Sequence, residues 1–186
     1  MAQAYHSISD FLSQVKKFDL ARANRYEVRF FPPPIMQDHY TSSGESPKLL
    51  SMFVEDVLFP GLIVGTRAYR LNNLNQQRAT SIDFMGDSIA FTILVDTSWT
   101  VKDFIGDWMR KIVDPVSREI EYPKNYYGRI NLFALNNKDE VVAEWQLEDV
   151  FPRSMAPISG SATNAQVLRM PVSFAYTRWR VIGGYD

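Results

Sequence analysis

Residues 53–96 constrain the fold of this chain more than any other stretch, because they read as three consecutive β-strands joined by turns. Strand-like alternation covers residues 63–71, 77–84 and 88–95, and Asn-rich and Gly-Asp turns separate the three segments. The first two segments carry too many polar side chains for the core of a small monomeric domain, whereas the third is apolar on both faces. We therefore expect the third strand to anchor the subunit as a central strand and the hairpin before it to serve assembly.

The rest of the chain predicts a mainly β protein of the α+β class. Strand-like alternation recurs in four further segments: residues 25–31, 128–135, 140–147 and 167–181. The 186 residues are enough for one large domain over 1–186, and a chain of this size buries about 70% of its unfolded surface. The expected architecture is an antiparallel β-sandwich or open barrel with one flanking α-helix and a short N-terminal helix.

Two helices are predicted, one near the N-terminus and one after the third strand. Residues 101–113 have a broad apolar stripe, and Thr100 and Asp103 are spaced as a capping box. We expect this helix to pack on the sheet. Residues 8–18 have a thinner stripe, with Ser9 as the expected cap. Such a short helix needs a surface to pack on, which is either the fold itself or a neighbouring subunit.

A loop insertion is predicted over residues 32–48. Three consecutive prolines end the strand before it, because proline cannot donate a hydrogen bond to a ladder. Residues 35–48 are polar and rich in turn-forming residues, so we expect an exposed loop. Residues 152–164 have a similar composition and are expected to form a second long loop.

The composition argues against several kinds of chemistry. The chain has no cysteine, two histidines and a formal net charge of −1. Thiol nucleophiles and thiolate metal sites are therefore ruled out, and a dedicated nucleic-acid binder would carry a basic surplus. The sequence also lacks the phosphate-loop, metalloprotease and serine-hydrolase motifs. We predict a protein that is not an enzyme and that holds no cofactor or metal.

The sequence shows no membrane or export signal. No apolar run reaches the roughly 18 residues that a membrane-spanning helix needs, so no membrane insertion is expected. The first ten residues lack the charged start and apolar core of a signal peptide. We therefore expect the chain to fold in a cytoplasm.

Five short motifs follow one another along the chain. DLARANRYEVRF comes after the N-terminal helix, and VEDVLFPG opens the long hairpin. The helix VKDFIGDWMRKIV is followed by AEWQLEDVFPRS in a hairpin and by VSFAYTRWRV in the closing strand. In this order and spacing they resemble the tail-tube protein family of contractile-tail bacteriophages, over nearly the whole chain. That family includes the main tube protein and related rings that begin the tube in the baseplate. The insertion at 32–48 is longer than a minimal tube subunit needs, which leaves a specialised ring open.

The resemblance implies a structural virion protein whose hexameric rings stack into the tail tube, the channel for DNA ejection. The rings are expected to share an inner β-barrel, in a fold similar to the ring protein of type VI secretion. The implied partners are further copies of the chain, the tail sheath, baseplate or terminator proteins, and double-stranded DNA in transient, non-specific passage. The implied location is the virion tail, after assembly in the host cytoplasm. Two alternatives stay open: a baseplate ring protein that initiates the tail tube, and a monomeric β-sandwich binding module of a tail.

Three groups of residues are candidates for functional surfaces of such a tube. Unpaired cations would slow DNA in a channel, because each neutralised phosphate strengthens binding. The lumen-facing candidates therefore have uncharged or acidic side chains in the return strand of the hairpin: Gln77, Ala79, Ser81 and Asp83. The subunit-interface candidates lie in the same hairpin: Arg67, Tyr69, Arg70, Arg78 and Thr80. The ring-stacking candidates lie in the insertion: Asp38, His39, Tyr40 and Glu45.

Overall fold

The computed structural model describes residues 7–18, 20–37, 46–71, 74–84, 88–161, 163 and 165–183. The strands in this part of the chain are β1 Tyr26–Phe31, β2 Val54–Val57, β3 Leu62–Leu71, β4 Leu74–Phe84, β5 Ser88–Leu94, β6 Gly128–Leu135, β7 Val141–Met155, β8 Arg169–Ala175 and β9 Arg178–Ile182. The helices are α1 Ile8–Phe18, α2 Ser46–Met52, α3 Thr100–Ile112 and α4 Pro123–Tyr126, with a 3-10 turn over Pro34–Met36. The ring-stacking candidates lie outside the described residues: Asp38, His39, Tyr40 and Glu45.

Seven of the nine described strands form one antiparallel sheet, in the order β1-β6-β7-β8-β5-β2 with β9 paired to β7. Strand β7 joins the two halves of this sheet. Its first part pairs with β6 and β9, whereas residues 151–155 pair with β8. Asp149, in the left-handed conformation with φ 57°, lies in the register irregularity at the end of the first part, two residues before the pairing with β8 begins. A left-handed residue redirects a strand, so β7 leaves one half-sheet there and enters the other.

Three phenylalanines fill the space between the two half-sheets. The ring centroid of Phe30 in β1 lies 5.6 Å from those of Phe91 in β5 and Phe174 in β8. The rings of Phe91 and Phe174 are 5.7 Å apart, and all three side chains are buried. Aromatic rings packed edge-on or tilted at such distances stabilise a core beyond the area that they bury. The structure confirms a mainly antiparallel β fold with a few helices, and the described part of the chain contains no closed barrel.

Strand β5 is a central strand, as predicted, because it lies between β8 and β2. Ile89, Phe91 and Ile93 point into the core and are buried. The opposite face is only partly covered, since Ala90 is exposed and Thr92 is half-buried. One face of this strand therefore anchors the subunit, and the other is open to a neighbour.

Helix α3 covers the core, as its apolar stripe predicts. Trp108 is buried, and its ring centroid lies 6.1 Å from that of Phe174. The indole N–H of Trp108 donates a hydrogen bond to the backbone carbonyl of Tyr126 at 3.1 Å. This bond satisfies the polar end of a buried ring and holds α4 beside α3.

Asp96 caps α3, so the expected capping box of Thr100 and Asp103 is wrong. The Asp96 carboxylate accepts hydrogen bonds from the backbone N–H groups of Thr100 at 3.0 Å and Val101 at 3.1 Å. Trp99, with φ 58°, turns the chain so that these amides face Asp96. Partial burial by itself raises the pKa of Asp96, but the amide hydrogen bonds outweigh it and lower the pKa.

Ser7, not the expected Ser9, caps α1. The Ser7 hydroxyl accepts a hydrogen bond from the backbone N–H of Asp10 at 3.2 Å. The Asp10 carboxylate in turn accepts one from the backbone N–H of Ser7 at 3.0 Å. This is the reciprocal pair of a capping box, with Asp in place of the more usual Glu.

Part of the predicted insertion at 32–48 is regular structure. The turn over Pro34–Met36 and the start of α2 both fall within it. Met36 is completely buried, and Pro47 is buried as well. The prediction of an exposed loop is therefore wrong at both ends of the insertion, because single apolar residues in a polar context are buried there.

Two strand boundaries also differ from the prediction. Strand β7 continues to Met155, so regular pairing covers the start of the loop predicted over 152–164. The closing segment 167–181 is two strands, β8 and β9, that pair with different parts of β7. The phase of the alternation changes at this break, since the buried residues lie at even positions up to Tyr176 and then at Trp179.

Candidate functional site

Strands β3 and β4 form a hairpin that stands apart from the body of the subunit. They pair with each other as a separate two-stranded sheet. Within the described residues, neither strand packs extensively on any other helix or strand. Every residue of the two strands whose burial the structure describes is exposed, except Gly65. With 11 residues in β4, the hairpin is an arm about 35 Å long.

Both outer edges of the arm lack a neighbouring strand in the described part of the chain. An unpaired strand edge presents a row of backbone N–H and C=O groups that can pair with another chain. An isolated two-stranded hairpin is at best marginally stable in water. The arm therefore has the backbone chemistry of an element that is completed by a partner.

A β-bulge divides the arm. Gly65 is opposite Ser81 and Thr66 is opposite Ala79, so Thr80 is an extra residue in β4. A Cβ atom on Gly65 would lie 2.4 Å from the Ser81 hydroxyl oxygen and 3.3 Å from that of Thr80. Gly65, Thr80 and Ser81 therefore share one face of the hairpin, and Ala79 lies on the other.

This bulge splits the lumen-facing candidates, which regular alternation would place on one face. Gln77 and Ala79 lie on the face of Thr66 and Ala68, which we call the alanine face. Ser81 lies on the opposite face. For Asp83 the structure describes only the backbone, which pairs with Ile63. The expectation that the four residues line one surface is therefore wrong.

The face opposite the alanine face holds four of the five subunit-interface candidates. The guanidinium carbons of Arg67 and Arg78 lie 5.9 Å and 5.4 Å from the ring centroid of Tyr69. Thr80 belongs to the same side, and we call this surface the arginine face. Arg70, by contrast, lies on the alanine side near the turn. Cations stacked on an exposed tyrosine form a surface that suits an acidic or aromatic partner.

The base of the arm is apolar, which the sequence analysis missed. Leu62, Val64 and Ile82 are all exposed on the alanine side, and Ile63 is exposed on the other. Leu58 and Phe59, just before β3, are exposed as well. Contiguous exposed apolar side chains on a folded domain usually mark an interaction surface. The signal was present in the sequence as an apolar run within an otherwise polar hairpin.

The body offers a cleft but no catalytic arrangement within the described residues. An open cleft of about 1070 Å³ lies between β1 and β2, the two end strands of the sheet. The Tyr26 hydroxyl spans it and donates hydrogen bonds to the carbonyls of Val54 and Glu55. Hydrogen bonds from Arg169 lower the pKa of the Glu55 carboxyl, which is the reverse of what a general acid needs. The described residues contain no group of three or more potential metal ligands.

Together these features describe a β-sheet body that carries a hairpin with no neighbouring strand in the described residues. The chain belongs to the phage tail tube protein family, whose model matches residues 21–182. None of the curated proteins matches the sequence. No helix in the described residues combines the length and the apolar character that crossing a membrane requires.

Solved structures of contractile systems contain chains with the same fold. One is the sheath–tube complex of an extracellular contractile injection system, PVC, in its extended state, with 15% identity over 91% of this chain and 96% of that chain, at a TM-score of 0.62. A second is the baseplate of the anti-feeding prophage, with 16% identity over 88% and 96% and a TM-score of 0.61. A third is the tube-terminating cap of the anti-feeding prophage, with 13% identity over 88% and 91% and a TM-score of 0.56. At these identities the similarity concerns the fold.

Removing the arm is expected to leave the body folded. Strands β2 and β5 are antiparallel neighbours, with Val57 opposite Phe91, so a short turn in place of residues 62–87 joins them without strain. We expect the melting temperature to change by less than about 5 °C, because the arm buries little of the body. Thermal unfolding followed by circular dichroism measures this change. Phe91→Ala is the control, and it should cost about 3–5 kcal/mol through a core cavity. A similar loss in the armless variant would show that the arm supports the body.

Proposed function

We propose that this chain is a tail tube subunit, of which six copies close into a ring and the rings stack into a tube that conducts DNA during ejection. The observation that carries the proposal is the arm, with its two free edges and its apolar base, on a chain of the tail tube family. A contact between the arm of one copy and the body of the next is head-to-tail. When such a contact repeats with a closing rotation, it produces a ring.

The comparison structures support the partners that we propose. Chains of the same fold occur in a sheath–tube complex, a baseplate and a tube-terminating cap. We infer that this chain likewise meets a sheath on the outside of the tube, and baseplate and terminator proteins at its ends. Its place would be the virion tail, assembled in the host cytoplasm.

We assign the middle of the alanine face, at Gln77 and Ala79, to the lumen, and the arginine face and the apolar base to the neighbouring subunit. Arg70 lies on the alanine side as well, but next to the turn and outside this middle part. A barrel built from the strands of many subunits is too wide for side chains to fill and leaves an aqueous channel. Gln77 and Ala79 offer DNA no charge in such a channel, whereas Arg67 and Arg78 would bind phosphates and slow its passage. Because of the bulge, Ser81 is no longer a lumen candidate, whereas Gln77 and Ala79 remain candidates.

Electron microscopy of the purified protein tests the proposed function. We expect six-fold rings and, at higher protein concentration, stacks of rings with an open centre. The armless variant serves as the control and should stay monomeric, because it lacks the edges and the apolar base that bind the next copy. A wild-type protein that remains a monomer at every concentration would contradict the proposal and favour a monomeric binding module.

Lysine substitutions two residues apart test the assignment of the faces. Ala79→Lys is expected to slow DNA release from assembled particles. High salt should relieve the effect, because each phosphate contact makes affinity for DNA fall more steeply with salt, by about 0.9 in the slope of log affinity against log salt. Ser81→Lys, on the arginine face, should leave DNA release unchanged and weaken ring formation through repulsion from Arg78. The reverse pattern would assign the lumen to the arginine face.

The insertion is our candidate for the contact between stacked rings, through the side chains of Asp38, His39, Tyr40 and Glu45. A variant that lacks residues 38–45 retains Met36 and α2, which pack in the core. We expect it to form rings of normal diameter that stack into much shorter tubes, as measured in micrographs. Substitution of the same segment by a Gly-Ser linker of equal length separates side-chain contacts from loop length. Full-length tubes from the deletion variant would contradict a stacking role.

A tube-initiating ring of the baseplate is the second candidate function. The observation in its favour is that the fold matches the baseplate structure and the sheath–tube structure about equally well, with TM-scores of 0.61 and 0.62. The two functions differ in the number of copies per particle. Labelling of this subunit on particles should mark the whole tube in one case and a single band at the tail tip in the other.

A further inference from the structure

Helix α1 has an apolar stripe that is uncovered within the described residues. Ile8 is 81% exposed, Phe11 is 61% exposed and Leu12 is 52% exposed. Within the described residues, α1 packs extensively on no other helix or strand. A helix of 11 residues is marginal in water unless a partner supports its apolar face. The stripe therefore offers an apolar surface to a second copy of the chain.

A second uncovered apolar surface lies on the loop that follows α3. Val116 is 91% exposed, Ile120 is 71% exposed and Tyr122 is 74% exposed. We call these three residues the crest. They lie within seven residues of one another on a single loop, and exposed apolar side chains grouped on one segment are typical of an interaction site.

The crest is held in place by hydrogen bonds rather than by packing. One carboxylate oxygen of Asp114 accepts hydrogen bonds from the backbone N–H groups of Val116 at 2.7 Å and Ser117 at 2.9 Å. A β-bridge joins Val113 to Ile120, and the backbone N–H of Glu121 donates to the carbonyl of Ile112 at 2.9 Å. An exposed loop that is ordered in this way presents its apolar side chains at little further entropic cost on binding.

The two surfaces carry opposite net charges. Helix α1 has Lys16 and Lys17 in its last turn and Asp10 in its first, so its net charge is +1. The crest loop over 114–122 has three acidic side chains and one arginine, a net charge of −2: Asp114, Glu119, Glu121 and Arg118. Backbone hydrogen bonds lower the pKa values of Asp114 and Glu121, so both carboxylates are charged near neutral pH. The apolar base of the arm is a poorer match, because the arm carries three arginines that would repel the lysines.

We propose that α1 of one subunit docks its apolar stripe on the crest of a second copy of this chain. Within the described residues of one chain, neither surface covers the other. Both surfaces are apolar, and their net charges are opposite. The contact joins two different surfaces, so it repeats from copy to copy around a ring or along a stack. This inference rests on the proposed assembly and adds to it a contact separate from the arm.

Cross-linking tests this contact cleanly, because the chain has no cysteine of its own. Leu12→Cys is made in one batch of protein, and Ile120→Cys in a second batch that carries a size tag. The two are mixed, assembled and treated with a short bifunctional maleimide. We expect a cross-linked dimer of mixed size. Ser13→Cys is the matched control and should give about tenfold less dimer, because adjacent helix positions point in widely different directions. A tagged partner with Val116→Cys in place of Ile120→Cys should also cross-link to Leu12→Cys, because both residues belong to the crest.

Imaging of rings in the same samples separates failure of the α1 contact from failure of the proposed tube function. Rings that form without preferential cross-linking of Leu12→Cys would overturn the docking of α1 and leave the tube function standing. A chain with both Leu12→Cys and Ile120→Cys that cross-links only within itself would also overturn it. Absence of rings from wild-type protein would count against the tube function instead. Phe11→Asp is expected to reduce the dimer several-fold while Ser13→Asp, on the polar side of α1, does not.

Discussion

The packing of Phe30 against Phe91 and Phe174 is the contact on which the rest of this structure depends. It joins β1 to β5 and β8, and thereby holds together two half-sheets that share β7. Trp108 extends the same cluster to α3. Because this core is complete without β3 and β4, the hairpin is free to project. If the body needed those two strands for its own stability, they would pack in its core and could not project as an arm.

The position of the arm follows from the same arrangement. It leaves the body after β2 and returns at β5, and these strands are paired neighbours at one end of the sheet. Its chemistry is then set by one extra residue, Thr80, which places Ala79 and Ser81 on opposite faces. In the middle of the arm, one face thus has small, neutral side chains and the other has stacked arginines. The proposed tube function uses the first face for the channel and the second for a neighbouring copy.

Periodic segments could be predicted, and features that depend on register or on a partner could not. The stripe of α3 and the alternation in β5 identified both elements, because an apolar period persists whatever the element packs on. The bulge was not predicted, because the sequence around Thr80 continues a regular alternation that shows no extra residue. The cap of α3 by Asp96 was not predicted either, since this cap requires Trp99 in a left-handed conformation that no local propensity favours. The hairpin as the functional site stays a prediction, whereas the structure shows that Ser81 does not share a face with Gln77 and Ala79.

The sequence by itself determined the mainly β fold, the two long helices and a hairpin too polar for a core. These properties are local, since they follow from the spacing of apolar side chains along the chain. Only the tertiary structure decided that β7 serves both half-sheets, that the bulge places Ala79 and Ser81 on opposite faces, and that α1 and the crest are uncovered within the described residues. The physical reason is that register, bending and burial are properties of contacts between distant segments, and local spacing does not specify which segments meet.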